Sequence, residues 1–235
     1  DAAGENQKQA IFGAPTKLCT QTKLHTQEQR GRRTAIILNN SYKAEIPLIS
    51  PSDGLEELRQ SGRWLELAIP LDKKGVYITI AVMYGISGAS AGGDPYRINE
   101  RLFALAVARM IAAGESPYLL LTDANVDEKD SYILRNAVRL SEIINIMDDR
   151  SESDDRQPTF LLHGIVEPIQ PGQSGSSVID YAYANKTANA IVKKAGHKWD
   201  WAEGLDHCPL QIGLDVEVAK YMKYEASQVE QIDIA

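Results

Sequence analysis

Apolar and polar positions alternate between two periods along the chain, and each change of period marks an element. Residues 1–33 are polar and poorly periodic, with one apolar patch at Ala10 to Phe12 and a turn at Gly13, Ala14 and Pro15, which predicts mostly loop. RTAIILNN, Arg33 to Asn40, is apolar and β-branched and reads as a buried strand. After it, Ser52 or Asp53 can cap a short helix that places Leu55 and Leu58 on one face and stops at Gly62. RWLELAIP and GVYITIAVMY follow on either side of a turn, and Trp64, Glu66 and Ala68 alternate with Leu65, Leu67 and Ile69, as in a hairpin. Ile86 to Asp94 is rich in Gly and Ser and predicts a mobile loop. A long helix is predicted next, with Asp94 as its cap, Pro95 in the first turn, a stripe through Ile98, Leu102, Leu105, Ala106 and Met110, and Gly114 as its stop.

A strand over Pro117 to Thr122 completes a crossover of the kind found in layered α/β folds. Ile133, Leu134, Ala137, Leu140, Ile144 and Met147 then fall at helical spacing and predict a second long helix. Beyond a charged connector, PTFLLHG reads as a short strand and EPIQPGQSGSS as a loop, while SSVIDYAYAN and CPLQIGLDV read as the last strands. The tail from Ala219 is either an extension or a helix that binds a partner.

At 235 residues the chain holds one substantial core, read as a domain over 33–216 with a loop-rich segment at 1–32 and a tail at 217–235. No apolar run approaches the roughly 20 residues of a membrane span. A formal charge of −7 argues against wholesale electrostatic capture of nucleic acid, which draws on Lys and Arg against phosphates. Arg30, Arg32 and Arg33 are the densest local patch of positive charge. Cys19 and Cys208 lie too far apart in sequence to suggest a disulfide framework, so an intracellular setting fits. The opening DAAGENQKQ has no signal-peptide pattern.

Candidate chemistry centres on Leu119 to Val126, where an apolar run ends in Asp123 and Asn125. Two positions apart, a carboxylate and a carboxamide face the same way past the strand end. Asp123 can accept or orient a water proton, and Asn125 can donate to an anionic oxygen. The same residues also suit a solvated turn. Two later runs repeat the design, one carrying Asp180 and the other opening with Asp206 and His207, while Tyr84 ends an earlier strand. A histidine beside a carboxylate is held in one tautomer and serves as acid, base or phosphate donor. His25, His163 and His197 show no metal-ligand spacing. Trp199 and Trp201 flank Asp200 and suit either base stacking or burial.

TDANV, VIDYAYAN and LDHCPL, in that order, resemble the GDxN, RIDYI-type and SDHCP motifs of the endonuclease/exonuclease/phosphatase superfamily. That superfamily includes DNase I, abasic-site endonucleases of the exonuclease III type and the endonuclease domains of non-LTR retrotransposons. GRRTAIIL, VMYG and PTF look like its further elements, so the resemblance covers most of Gly31 to Leu214. It implies a two-sheet α/β sandwich that hydrolyses phosphodiester or phosphate ester bonds with Mg²⁺ or Mn²⁺, on DNA or another phosphodiester. Asp123 would then activate water, Asn125 would support Asp123 or the phosphate, and His207, held by Asp180, would donate to the phosphoryl oxygen. Asp206 would sit near the metal and Tyr84 would contact the scissile phosphate or help the leaving group.

Two departures qualify that implication. The family's N-terminal Asn strand and the Gln-Glu strand that supplies its principal Mg²⁺ ligand are not found, so the sandwich is expected to lack its first strands and to bind metal weakly. Gln27 and Glu28 spell the dipeptide but read as loop. YGISG also lacks the Pro-Asn that usually follows the Tyr. These departures keep two alternatives open: a catalytically impaired homologue acting as a subunit among protein partners, and a phosphatase acting on small molecules or lipids.

Overall fold

The computed structural model describes residues 22–29, 32–39, 44, 53–71, 77–147, 158–162, 176–215 and 217. The apolar patch at Ala10 to Phe12, Cys19, Arg30, His163, the charged connector and the tail lie outside the described residues. Within the segment expected to be loop, Thr22–Gln29 forms a strand (β1) that pairs antiparallel with Arg32–Asn39 (β2), with Glu28 opposite Arg33. The loop reading is corrected there. TKLHTQEQ carries too few apolar residues to read as a strand alone, and its partner is the β-branched RRTAIILN run that follows it directly.

A short helix, Asp53–Gln60 (α1), precedes the expected hairpin of Trp64–Pro70 (β3) and Tyr77–Tyr84 (β4). The long helix Gly93–Ala112 (α2) crosses over to Tyr118–Asp123 (β5), which lies parallel to β4. Next come Tyr132–Arg139 (α3), Ile144–Asn145 (β6), Phe160–Leu161 (β7), Ser176–Ser177 (β8) and Asp180–Ala184 (β9). Lys186–Ile191 (α4), Val192–His197 (β10) and Leu210–Leu214 (β11) complete the described chain. The main sheet has the order β3-β4-β5-β9-β6, beside the pairs β1-β2, β7-β8 and β10-β11.

This sheet is buried on both faces, which explains why its strands are apolar at nearly every position. On one face Trp64, Met83 and Tyr118 pack with Leu58 of α1, Phe103 and Met110 of α2, and Leu134 of α3. On the other, Leu67, Ile80, Leu121 and Ala182 pack with Ile36 of β2, Ile191 of α4, and Ile212 of β11. The arrangement is a layered α/β sandwich. Each fully buried aliphatic or aromatic side chain contributes about 1.5–3 kcal/mol. No described helix is long and apolar enough to cross a membrane.

Two helices differ from the sequence pattern. The buried face of α2 is Asn99, Leu102, Phe103, Ala106, Val107 and Met110; Ile98 is 51% exposed and Leu105 only partly buried. Gly92, at φ 83°, replaces Asp94 as the cap, while Gly114, at φ 56°, follows the last turn as expected. Arg109 turns inward to Glu66 at 3.1 Å, and Tyr118 donates to the same carboxylate at 2.6 Å. The second helix is cut short. After Arg139 the Ser141 N–H bonds the Val138 carbonyl and the Glu142 N–H bonds that of Ala137, with Ser141 at φ 58°. This closed turn leaves Leu140 exposed and turns Ile144 into strand. The Gly- and Ser-rich loop contains a short 3₁₀ turn, Ala89–Ala91, that buries Ala89.

Candidate functional site

Strand register assembles the site. Because β4 and β5 run parallel and β9 runs antiparallel to β5, Tyr84, Asp123 and Asp180 stand in one row across three adjacent strands. Past the end of β5 the Ala124 N–H bonds the Ile179 carbonyl at 2.6 Å, and Asn125 adopts the left-handed conformation at φ 52°. Asparagine tolerates that conformation because its short polar side chain bonds locally. Here the Asn125 N–H donates to Asp123 Oδ1 at 3.1 Å, and Asn125 Nδ2 reaches the Gly85 carbonyl at 3.4 Å. Gly85 donates to the Asp123 carbonyl at 2.7 Å. A Cβ on Gly85 would overlap the Ala124 carbonyl, so only glycine permits this approach.

His207 arrives from a loop clamped to β7. The Leu161 N–H bonds the Asp206 carbonyl at 2.9 Å, the Cys208 N–H bonds that of Thr159 at 2.8 Å, and the Phe160 ring lies 4.9 Å from the imidazole. His207 Nδ1 is 3.0 and 3.1 Å from the two Asp180 carboxylate oxygens, while Nε2 is 3.8 Å from Asp123 Oδ2. Asp180 therefore fixes the ring, and Nε2 faces the space beside Asp123.

Electrostatics follow from this crowding. Burial, and then the charge of Asp180, push the Asp123 carboxyl up to about 6, against the opposing pull of His207 and the Asn125 hydrogen bonds. Burial drags the His207 imidazole down, but the Asp180 bond and the charges of Asp180, Asp123 and Asp206 outweigh it and leave the imidazole raised. The Asp180 charge thus acts on both neighbours, raising Asp123 by repulsion and His207 by attraction. Burial pushes the Cys208 thiol up to about 12, so it is inert beside the site.

The structure thus brings together Asp123, Asn125, Asp180 and His207, with Tyr84 beside them. Tyr84 is 42% exposed; its hydroxyl lies 3.4 Å from Ser87 Oγ and its ring 5.1 Å from the Arg63 guanidinium. Among the described residues, ligand atoms of Asp123, Asp180 and His207 lie within 4.8 Å of one another, a group able to hold a cation. Asp206, expected as the metal ligand, is exposed and stands outside that group. Its backbone is engaged with β7, and its charge still reaches His207. Trp199 packs against Leu161, Ala202 and Cys208, whereas Trp201 is 44% exposed with Lys198 over its ring.

Thr159 was visible in the sequence only as part of PTF. Fully buried, its hydroxyl accepts from the Ile179 and Asp180 N–H groups, each at 3.0 Å, and its carbonyl accepts from Cys208. One residue thereby ties the Asp180 strand to the His207 loop. Arg63, which donates to the Tyr84 and Gly85 carbonyls, gave no sequence signal because it looks like the polar end of a strand.

No protein-family model and no curated protein matches the chain. Solved structures do. An AP endonuclease from Leishmania major aligns over 83% of this chain and 71% of its own, with TM-score 0.62 and 15% identity. The endonuclease domain of TRAS1, a telomere-specific non-LTR retrotransposon, aligns over 83% and 81%, with TM-score 0.55 and 13% identity. A mannosyl-6-phosphatase from Bacteroides thetaiotaomicron aligns over 83% and 77%, with TM-score 0.54 and 12% identity. The fold is that of the DNase I-like endonuclease/exonuclease/phosphatase superfamily, as the motif resemblance implied. The structures that share it include both nucleases and phosphatases.

Proposed function

We propose that this chain hydrolyses phosphoester bonds with the help of a divalent cation, and that its substrate is a nucleic-acid phosphodiester. The observation that carries the reading is the convergence of Asp123, Asp180 and His207 at the ends of β5 and β9, with His207 Nε2 facing Asp123 across 3.8 Å. With Nδ1 held by Asp180, a protonated His207 donates from Nε2 to a phosphoryl oxygen as negative charge develops there. Asp123, its affinity for protons raised, takes the proton of the attacking water. The Asn125 carboxamide donates to the phosphate without adding charge, and the exposed Tyr84 phenol meets the scissile phosphate from the neighbouring strand end.

The donor set fits a hard cation such as Mg²⁺ or Mn²⁺, which takes oxygen ligands and relies on one or two carboxylates plus water and substrate. Asp123 and Asp180 would hold it, with Asp206 adding negative charge from the rim. Bound there, the cation would supply charge stabilisation to the phosphoryl group. Because Asp180 is shared with His207, binding is weak. The nuclease reading draws on the AP endonuclease and retrotransposon endonuclease among the structural neighbours, and the phosphatase neighbour defines the competing substrate class.

The test is turnover by the purified chain with Mg²⁺ or Mn²⁺ on an abasic duplex, a supercoiled plasmid and a phosphomonoester. Metal-dependent cleavage of the duplex or plasmid is expected, reduced about 10²–10⁴-fold in His207→Ala and in Asp123→Ala. Turnover of the phosphomonoester alone would move the substrate to the phosphatase class. No turnover of any phosphoester, or turnover indifferent to both substitutions, would overturn the reading.

A further inference from the structure

Asn99 interrupts the buried face of α2 with an amide that is fully excluded from solvent. Burying an amide is unfavourable unless its hydrogen bonds are met. Here both ends are met, and by the two loops that carry the site. Asn99 Oδ1 accepts from the Ile86 N–H at 2.9 Å, and Asn99 Nδ2 donates to the Ala124 carbonyl at 2.9 Å. Ile86 lies two residues past Tyr84, and Ala124 sits between Asp123 and Asn125. The assignment of oxygen and nitrogen is fixed, because one partner can only donate and the other only accept.

The same two loops touch each other closely. Gly85 approaches the Ala124 carbonyl without room for a Cβ, and the Ala124 N–H is held by the Ile179 carbonyl beside Asp180. The Ala124 peptide units are thus pinned from both sides, by the helix amide and by the residue that leads into β9. A neutral side chain that donates and accepts at once, on a rigid helix, sets the separation between the Tyr84 loop and the Asp123–Asn125 loop.

We infer that Asn99 is a positioning residue for the phosphoryl site, acting through Ile86 and Ala124 rather than by touching substrate. The inference rests on the reading of that site as hydrolytic. Displacement of a reacting group by about 1 Å costs on the order of 10²-fold in rate, so small loop shifts register in kcat.

The experiment compares Asn99→Ala with Val107→Ala, a truncation on the same buried helix face that has no link to the loops. In Asn99→Ala, kcat is expected to fall about 10–100-fold with KM within about twofold, and the Ile86 amide is expected to lose its protection from hydrogen exchange. Val107→Ala should keep both. Equal loss of kcat in the two variants, or an Ile86 amide still protected in Asn99→Ala, would overturn the inference. If Asn99→Ala does not fold, Asn99→Asp replaces it, since an ionised carboxylate keeps the Ile86 bond but cannot donate to Ala124. Unchanged kcat in Asn99→Asp would then overturn it. Should the unsubstituted chain hydrolyse no phosphoester, the hydrolytic reading fails by itself. In that case Mn²⁺ affinity and Ile86 exchange decide the role of Asn99, with loss confined to the Asn99 variant in support and equal loss against.

Discussion

Replacing Asp123 by asparagine should stabilise the fold at neutral pH while removing turnover. Asp123 carries a carboxyl raised from 3.8 to about 6, chiefly by burial and then by Asp180, and its side chain is only 14% exposed. A folded state with the higher pKa binds more protons than the unfolded chain between these two values, so stability falls as pH rises through that window. At pH 7 the ionised carboxylate therefore costs the fold about 2–3 kcal/mol, and at pH 5 about half as much. The carboxamide that replaces it never ionises, and its carbonyl can still accept from the Asn125 N–H. Urea denaturation with a chelator present, followed by circular dichroism at pH 5 and pH 7, measures the effect. Asp123→Asn should gain about 2–3 kcal/mol at pH 7, or about 5–10 °C in Tm, and the gain should shrink at pH 5. A variant less stable than the parent at pH 7, or a gain that does not change with pH, would refute the account of Asp123 as a desolvated, repelled carboxylate.

Truncations along α2 should rank by the observed buried face. Phe103→Ala, at a fully buried position, is expected to cost about 3–5 kcal/mol in chemical denaturation, and Leu105→Ala, only partly buried, clearly less. Removing Arg109 leaves the Glu66 carboxylate buried, with Tyr118 donating to it and Arg59 at 3.9 Å, so Arg109→Ala should destabilise by about 3–5 kcal/mol in the same assay.

The site was more legible than the helices. Asp123, Asn125, Asp180 and His207 announce themselves because each is a polar residue set within or at the edge of an apolar run, and the strand such a run forms fixes both position and direction for the side chain. Helical faces were read less well because a stripe of Ile and Leu admits more than one orientation. Ile98 and Leu105 matched the period, yet α2 turned Phe103 and Val107 inward, with Asn99 among them. A polar residue on that stripe looks like a gap in the pattern until both of its hydrogen-bond partners are seen.

The order of apolar runs, their lengths and the turn residues between them determined a layered α/β fold with a helical crossover between parallel strands, since periodicity and burial are local properties of the chain. What lay beyond it was decided by contacts between distant residues. The β1 strand exists through its pairing with β2, and the second long helix ends at Arg139 because its last carbonyls are closed off by a turn that periodicity does not encode. Only the register of β4, β5 and β9 sets Tyr84, Asp123 and Asp180 side by side, and only the clamp of β7 on the Asp206–Cys208 backbone delivers His207 to them. A sequence names the groups that can do chemistry, while their separation, burial and shared charge arise where strands far apart in the chain meet.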